Sequence, residues 1–326
     1  MNRLTASKLI ALVIGFICIF FAYNYNKSAT YKISGPIYGT YWQLVSTEYI
    51  TDSLKKSIED ELSRIDLIAS NYKKDSELSK INAASLNQKI LISSDMYSLL
   101  SFAENLFEIT NGYYDVTLGS LVIEKGFGPE YTMVENTLPV SIKRFNLISN
   151  NALIKNDNFQ FDLSSIAKGY AVDRIAQLLI NSNRNNFLFD IGGEIITNGS
   201  KHGAPWLIGI QNPSSIESQS IMEIYSSNFL AVATSGEYRN QKINENGDLI
   251  SHTFVPKTKL SIADKSYSVT VASDKSSMIA DAWATALNVL GPEKGIRLAN
   301  DNDIAVMYIM QDENIIIKSN SWNYND

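Results

Sequence analysis

Cysteine and histidine are scarce in this sequence of 326 residues, which contains one cysteine and two histidines. A single cysteine excludes a disulfide within the chain, and the two residue types together are too few for a zinc site built from them. Basic residues are also fewer than acidic ones, 28 against 34, which gives a formal net charge of −6. This balance argues against a nucleic-acid partner, because phosphate backbones bind to basic surfaces.

Repeats, low-complexity tracts and runs of like charge are absent from the sequence as well. Hydrophobic residues make up 45% of the chain and charged residues 19%, which is typical of a globular protein with a sizeable core. No obvious linker interrupts the apolar elements of the main body. The length therefore fits one large domain or two intimate ones.

One long apolar run lies at the N-terminus, where a basic segment precedes the uncharged stretch from Leu9 to Tyr25. This pattern predicts either a secretory signal or an N-terminal membrane anchor. Ile17, directly before Cys18, is bulkier than lipoprotein processing prefers, and no clear cleavage site follows. We therefore expect residues 1–30 to be an uncleaved anchor and linker. Residues 31–326 would form the folded domain, held at the inner membrane and facing the periplasm.

Helical and strand patterns alternate along the body of the chain. Helices are predicted from residue 51 or 52 to about 70, from about 95 to 110, from 166 onward, and over 277–290. Strands are predicted over 37–45 (interrupted by Gly39), 186–191, 206–211, 229–235, 268–272, 304–310 and 314–318. The segment from 132 to 156 reads as loops and short strands.

The stretch from Asp162 to Asp173 joins an extended segment to a helix, with Ser164 or Ser165 where an N-cap belongs. A helix N-terminus presents free N–H groups and the positive end of the peptide dipoles, so it suits a phosphate. Lys168 adds a mobile positive charge at this end, and Gly169 allows close approach of a ligand or another chain. The alternative is an ordinary capped helix with a surface lysine.

Asp281 and Thr285 are four residues apart on the predicted helix over 277–290, so they share one face. A carboxylate and a hydroxyl form an oxygen donor set that suits Mg²⁺, especially when phosphates complete the shell. A surface aspartate beside a threonine bonded to its own helix is the alternative.

Two further segments are candidates for ligand contact. His252 precedes a turn that contains Pro256, where a histidine is more often structural than catalytic. His202 lies beside a glycine in a polar loop and is expected to be exposed. Tyr113 and Tyr114 follow Gly112, and aromatic residues between glycines either stack on a planar ligand or fill the edge of a core.

Taken in order, several motifs resemble those of the ApbE family, the FAD:protein FMN transferases. The resemblance covers about Tyr38 to Gly291, and the segments that carry it are Gly39-Thr40, Gly112 to Val122 with Gly126-Phe127-Gly128, Asp162 to Asp173, Asp190 to Glu194, Ala233 to Gly236, His252 and Ala280 to Leu287. It implies a mixed α/β (α+β) fold of two intimate lobes, with mixed sheets and an FAD cleft between them.

The resemblance also implies a reaction and a set of site residues. FAD would be split with the help of Mg²⁺, and its FMN half would be joined by a phosphoester to a threonine or serine of an acceptor protein. Acceptors of this kind are expected to be subunits of membrane redox complexes. Asp281, Thr285 and the carbonyl of Ala167 would hold the metal, and His252 would be the general base. Residues expected along the FAD are Tyr38, Tyr113, Tyr114, Asp115, Ser164, Lys168, Tyr170 and Phe254.

The chain departs from the family pattern near the histidine. Val255 stands where an aspartate is usual, and Lys259 where a glycine is usual. Lys125 replaces a tryptophan, and Tyr38 replaces a common methionine. Two alternatives to transfer remain, namely a Mg²⁺-dependent FAD pyrophosphatase that releases FMN and AMP, and a flavin-binding protein without enzymatic activity.

Overall fold

The computed structural model describes residues 3–129, 144–149, 151–213, 220–236, 241–243, 247–263, 267–311 and 315–324. Within these ranges the chain forms eight helices: α1 Arg3–Lys27, α2 Asp52–Ala69, α3 Glu77–Ala83, α4 Ser94–Ile109, α5 Gly119–Glu124, α6 Ala167–Asn181, α7 Ser277–Leu290 and α8 Pro292–Asp301.

The described strands are β1 Tyr31–Ile37, β2 Thr40–Ser46, β3 Lys89–Leu91, β4 Phe145–Ile148, β5 Ala152–Lys155, β6 Phe187–Ile191, β7 Glu194–Asn198, β8 Trp206–Gln211, β9 Ser220–Ser226, β10 Leu230–Gly236, β11 Gln241–Ile243, β12 Leu249–Ser251, β13 Tyr267–Ser273, β14 Ala305–Met310 and β15 Ile316–Lys318. The predicted mixed α/β class is confirmed. Parts of two predicted segments lie outside the described residues: residues 132–143 and 150 of the predicted loops and short strands, and residue 314 of the predicted strand over 314–318.

One sheet of eight strands organises the body, in the order β1-β2-β6-β7-β10-β13-β14-β15. Smaller sheets are β3-β5-β4, β8-β9 and β11-β12, and every pair of these described strands is antiparallel. All seven residues of β13 are buried, because α7 covers one face of the sheet while β8, β9 and Trp322 cover the other. Val269 and Val271 share one face of β13, and the polar residues between and beside them, Ser268 and Thr270, are buried as well. The Thr270 hydroxyl lies 2.9 Å from the Thr234 hydroxyl of β10, so this buried polar group has a partner.

The predicted single strand over 37–45 is wrong, because the chain turns back at Tyr38 and Gly39. Ile37 pairs with Thr40, so Tyr38 and Gly39 form the two-residue turn of a hairpin between β1 and β2. Both have positive φ angles, +48° for Tyr38 and +74° for Gly39. This is the conformation that a type I′ turn requires at its two central positions.

The helix predicted from residue 51 or 52 is confirmed as α2. The Thr51 hydroxyl accepts a hydrogen bond from the Leu54 N–H at 3.1 Å and caps the helix. Its buried stripe includes Ile58, Leu62 and Ile65, which pack with Val172 and other side chains of α6.

Helices α6 and α7 cap each other. Asp173 of α6 accepts hydrogen bonds at the start of α7 from Ser276 Oγ (2.6 Å), the Ser277 N–H (2.7 Å) and the Met278 N–H (2.9 Å). In return, Asp281 of α7 accepts one from the Gly169 N–H in the first turn of α6, at 2.9 Å. Each carboxylate therefore faces the positive end of the other helix.

This arrangement corrects the predicted N-cap of α6. Ile166 occupies the cap position and makes no side-chain cap bond, so neither Ser164 nor Ser165 is the cap. The Ala167 N–H instead donates to the Leu163 carbonyl at 2.9 Å, and the Asp281 carboxylate, which is distant in sequence, satisfies Gly169. Local sequence could not supply this partner.

Gly169 is the point of closest approach between the two helices. A Cβ at this position would lie 2.5 Å from the Ser277 carbonyl oxygen and 2.8 Å from the Met278 Cα, both of them backbone atoms. The close approach that the sequence suggests for Gly169 therefore involves another part of the same chain.

Helix α1 differs from the helices of the body in that its large apolar side chains are exposed. Its described side chains include nine large apolar residues that are exposed, from Leu9 to Phe20. Within the part of the chain that the structure describes, no helix has both the length and the apolarity needed to cross a membrane.

Replacing Gly169 with alanine should destabilise the fold, because the new methyl group would force α6 and α7 apart. Overpacking of this kind costs about 1–3 kcal/mol, measurable as a lower midpoint of urea unfolding. Gly15→Ala is the matched control, since Gly15 also lies in a helix and a Cβ added there would meet no neighbour within 4 Å among the described residues. Equal midpoints for the two variants would contradict the close-packing argument.

Candidate active site in the central cleft

A cleft of about 890 Å³ opens at the ends of several elements around the α6–α7 contact. The volume is in the range of small-molecule and cofactor sites. Its walls are the β1–β2 turn, the segments around Tyr114 and Phe127, the start of α6, the β6–β7 turn, the end of β10, the segment around His252 and one face of α7. Segments far apart in the sequence thus converge on one cavity.

Three charged side chains lie together on one part of the cleft wall. The Lys168 ammonium is 2.6 Å from Glu194 Oε2, and the side chains are 33% and 5% exposed. Asp281 is also buried, at 6% exposure. Two buried carboxylates therefore share this region with one partly exposed lysine.

Burial sets the protonation behaviour of both carboxyls. Desolvation raises the pKa of Asp281 well above its usual value, and the neighbouring Glu194 charge raises it further, while Lys168 opposes the shift. Desolvation likewise raises the pKa of Glu194, against the lowering effect of Lys168. Both groups are thus short of nearby positive charge.

Thr285 lies one helical turn beyond Asp281, and both line the cleft, so their predicted proximity is confirmed. Among the described residues, no three His, Cys, Asp or Glu side chains come together in a group that could hold a metal ion. Any hard cation at Asp281 would therefore need hydroxyl, carbonyl, water or substrate oxygens to complete its shell.

The tyrosine segment forms another wall. The Tyr114 hydroxyl lies 3.0 Å from Ser165 Oγ, and burial raises the pKa of this phenol, so it remains protonated and available for hydrogen bonding. Tyr113 is half-buried, with the ammonium groups of Lys257 and Lys294 at 4.9 Å and 5.5 Å from its ring centre. An aromatic face flanked by cations results at this side of the cleft.

His252 is held by packing on the wall near Phe127, with ring centres 6.2 Å apart. Its Nδ1 atom is buried and has no hydrogen-bond partner among the described residues. Val255 cannot supply one, because its side chain is apolar. Lys259 adopts φ +57°, a left-handed conformation that favours glycine. Glycine is the residue usual at this position in the family that the sequence resembles.

Phe127 itself is fixed from two sides. The Tyr72 hydroxyl donates to its carbonyl at 2.8 Å, and Lys242 Nζ lies 4.4 Å from its ring centre while donating to the Gly126 carbonyl. Because Lys242 belongs to β11, these contacts join the β11–β12 hairpin to the end of α5. The hairpin leads directly into His252.

Most of the predicted site residues line this one cleft: Tyr38, Tyr113, Tyr114, Asp115, Ser164, Lys168, His252, Phe254, Asp281 and Thr285. Ala167 and Tyr170 are not among the residues that line it. Tyr170 instead donates its hydroxyl to Asp95, and the Tyr38 hydroxyl donates to the Leu62 carbonyl at 2.8 Å. His202 is exposed, as predicted.

Glu194 has a place in the cleft that sequence patterns do not assign. It follows Gly192 and Gly193, which form a two-residue turn between β6 and β7 with φ angles of +61° and +109°. The available signal in the sequence is a pair of glycines before an acidic residue that begins an apolar strand. The lysine partner, however, comes from another element.

Comparison with known proteins shows which family shares this fold and sequence. The model of the ApbE family matches residues 38–308. A FAD:protein FMN transferase from Vibrio cholerae is 36% identical over 293 residues, covering 86% of this chain and 87% of the relative. Another FAD:protein FMN transferase, from Haemophilus influenzae, is 34% identical over 317 residues and covers 91% of each chain.

Solved structures agree with these matches. The flavin transferase ApbE from Vibrio cholerae superposes with a TM-score of 0.78 at 32% identity, covering 90% of this chain and 98% of the solved one. The apo form of the flavinyl transferase ApbE from Pseudomonas stutzeri gives a TM-score of 0.76 at 27% identity, covering 90% and 96%.

The fold, with its cleft built across the α6–α7 contact, is therefore that of the flavin transferases, a class of enzymes. The chain belongs to the ApbE family, since the family model covers most of its length.

Replacing Asp281 with asparagine should stabilise the metal-free protein increasingly as the pH rises above the unfolded-state pKa of the aspartate. The folded-state pKa of Asp281 lies above its unfolded value of about 3.9. The folded state therefore binds more protons, and stability falls as pH rises from that value through the raised pKa. In Asp281→Asn this decline should be shallower, while the amide oxygen can still accept from the Gly169 N–H.

Urea unfolding between pH 4 and 8 in the presence of EDTA measures the effect. Asp60→Asn is the control, because Asp60 is an exposed carboxylate paired with Lys56 on α2. An Asp281→Asn variant with the same pH dependence as the wild type would contradict the role given to burial.

Proposed function

We propose that this protein transfers FMN from FAD to a threonine or serine hydroxyl of an acceptor protein. The observation that carries the proposal is one cleft lined both by an oxygen donor pair, Asp281 and Thr285, and by a histidine, His252. The names of the relatives, FAD:protein FMN transferases, support the same reaction.

The proposed step is a phosphoryl transfer. The acceptor hydroxyl oxygen bonds to the phosphorus on the FMN side of the FAD pyrophosphate, and the bond from that phosphorus to the bridging oxygen breaks. AMP leaves with the bridging oxygen, and the hydroxyl proton passes to the base. The products are a phosphoester-linked flavin on the acceptor, AMP and one proton.

The residues present fit a magnesium ion. Asp281 and Thr285 offer hard oxygen atoms, and Asp281 is a buried carboxylate with too little positive charge around it. Both would hold the ion, together with the Ala167 carbonyl that the family resemblance implies. When bound, Mg²⁺ would neutralise the charge of the pyrophosphate.

The chain's own groups supply the remaining requirements. Lys168 places a positive charge in the cleft, suited to the phosphates, and Ser164 and Tyr114 provide hydroxyl groups that line the same cleft. Tyr38, Tyr113, Asp115 and Phe254 would lie along the FAD. Tyr170 does not line the cleft, so it would support the FAD site only indirectly, through the packing of α6.

His252 is the proposed general base. In its neutral form an imidazole can take the hydroxyl proton near pH 7. Its buried Nδ1 lacks, among the described residues, the orienting hydrogen bond that a catalytic histidine often has, so packing against Phe127 fixes the ring instead.

We also propose that the N-terminal segment holds the enzyme at the inner membrane, with the cleft in the periplasm. The exposed apolar side chains of α1 and the absence of acidic residues from the first 27 positions of the sequence support this location. Acceptors would then be subunits of membrane redox complexes. Fractionation of cells that express the full chain or residues 31–326 tests the attachment.

Incubation with FAD, Mg²⁺ and an acceptor that carries a threonine motif should give covalently flavinylated acceptor and an equal amount of AMP. Fluorescence of the acceptor band on a denaturing gel measures the first, and chromatography measures the second. EDTA should abolish both products. Equal FMN release with and without acceptor would instead show a pyrophosphatase, and FAD that binds without any product would show a flavin-binding protein.

His252→Ala should reduce transfer by about 10²-fold or more while FAD affinity stays nearly unchanged, because a general base contributes 10²–10⁴-fold to the rate. Flavin fluorescence titration gives the affinity, and acceptor labelling gives the rate. His202→Ala is the control, since that exposed histidine contacts Thr30 at 3.2 Å, in a pair that lies at the surface. Equal losses of binding and transfer in His252→Ala would refute the base role.

A further inference from the structure

Glu194 is a buried carboxylate with a fixed backbone. It begins β7 directly after the two-glycine turn, and its backbone pairs with Ile191 across the hairpin. The Gly193 N–H donates to Asp190 Oδ1 at 2.8 Å, which braces the same turn. The side chain is 5% exposed, so few orientations are open to it.

Lys168 is the more exposed member of the pair. It lies in the first turn of α6, and its side chain is one-third exposed to the cleft. The ammonium is 2.6 Å from the Glu194 carboxylate, which is a short, charge-assisted hydrogen bond. One end of the contact is therefore rigid and buried, while the other faces the ligand space.

Stability alone does not account for this pair. Burying a carboxylate has a large desolvation cost, and apolar residues of similar volume often stabilise a protein as well or better. Asp281 adds a second buried carboxylate nearby, and the pKa values of both carboxyls are raised. A charge kept under these conditions is better explained by a role in the cleft.

We propose that Glu194 is a positioning residue, which holds the Lys168 ammonium in the cleft beside Asp281 so that it meets the pyrophosphate of FAD. The inference rests on the proposed function, since it concerns the same substrate. Without the carboxylate, the four-carbon lysine side chain would sample many rotamers. Substrate binding would then have to order it.

Three single variants and one double variant test the inference through the turnover of FAD. Glu194→Met removes the acceptor and keeps the volume, so kcat/KM for FAD should fall about tenfold or more, as expected for a lost charge-assisted contact. Glu194→Gln replaces the carboxylate with an amide whose oxygen can still accept a hydrogen bond from Lys168, so this variant should retain more activity than Glu194→Met. In the Lys168→Met background, Glu194→Met should cause no further loss.

A second readout separates positioning from metal ligation. Mn²⁺ binding without FAD, followed by electron paramagnetic resonance, should be weakened much less by Glu194→Met than by Asp281→Asn. Glu48→Gln is the matched control. Glu48 also braces the main sheet, accepting from Asn186 Nδ2 at 2.8 Å, and it is not among the residues that line the cleft.

Several results would overturn the inference. Equal activity of Glu194→Met and wild type would exclude any role, and equal losses in Glu194→Gln and Glu194→Met would assign the effect to charge. Additive losses with Lys168→Met would show independent roles, and an Mn²⁺ defect as large as that of Asp281→Asn would make Glu194 a metal ligand. A wild type that neither binds nor turns over FAD would instead refute the proposed function.

Discussion

The reciprocal capping of α6 and α7 is the contact on which the rest of the site depends. Two carboxylates, Asp173 and Asp281, each meet the N-terminal end of the opposite helix, and Gly169 lets the backbones approach closely enough for both bonds to form. The N–H groups at a helix start need partners, and buried carboxylates need donors, so each requirement satisfies the other. Because Asp281 is held by this contact, its position in the cleft is a consequence of helix packing.

Electrostatic imbalance in the cleft follows from the same geometry. Burial raises the pKa of Asp281 and Glu194, and Lys168 offsets only part of the negative charge. A fold that needed stability alone would have little reason to keep these groups together. Clustered, perturbed groups of this kind are typical of functional sites, where a cation and an anionic substrate complete the charge balance.

Sequence patterns locate the elements of this fold better than their ends. The predicted bounds of α7 coincide with the observed ones, because Ser276 caps the helix and its apolar face is regular. The Tyr38-Gly39 turn escapes prediction, since a tyrosine at positive φ is rare and glycine alone indicates a bulge. A nearby serine is the wrong N-cap for α6 because the actual acceptor, Asp281, is distant in sequence.

By itself, the sequence determined the family, the order of the motifs, the Asp281–Thr285 pairing on one helix and ten of the residues that line the cleft. These features depend on local periodicity or on residues that a motif keeps in order. Only the tertiary structure decided which groups meet: Glu194 with Lys168, Asp173 with the start of α7, and Tyr170 with Asp95. The physical reason is that side-chain partners across a packed core are set by strand order and helix crossing, which no local pattern encodes.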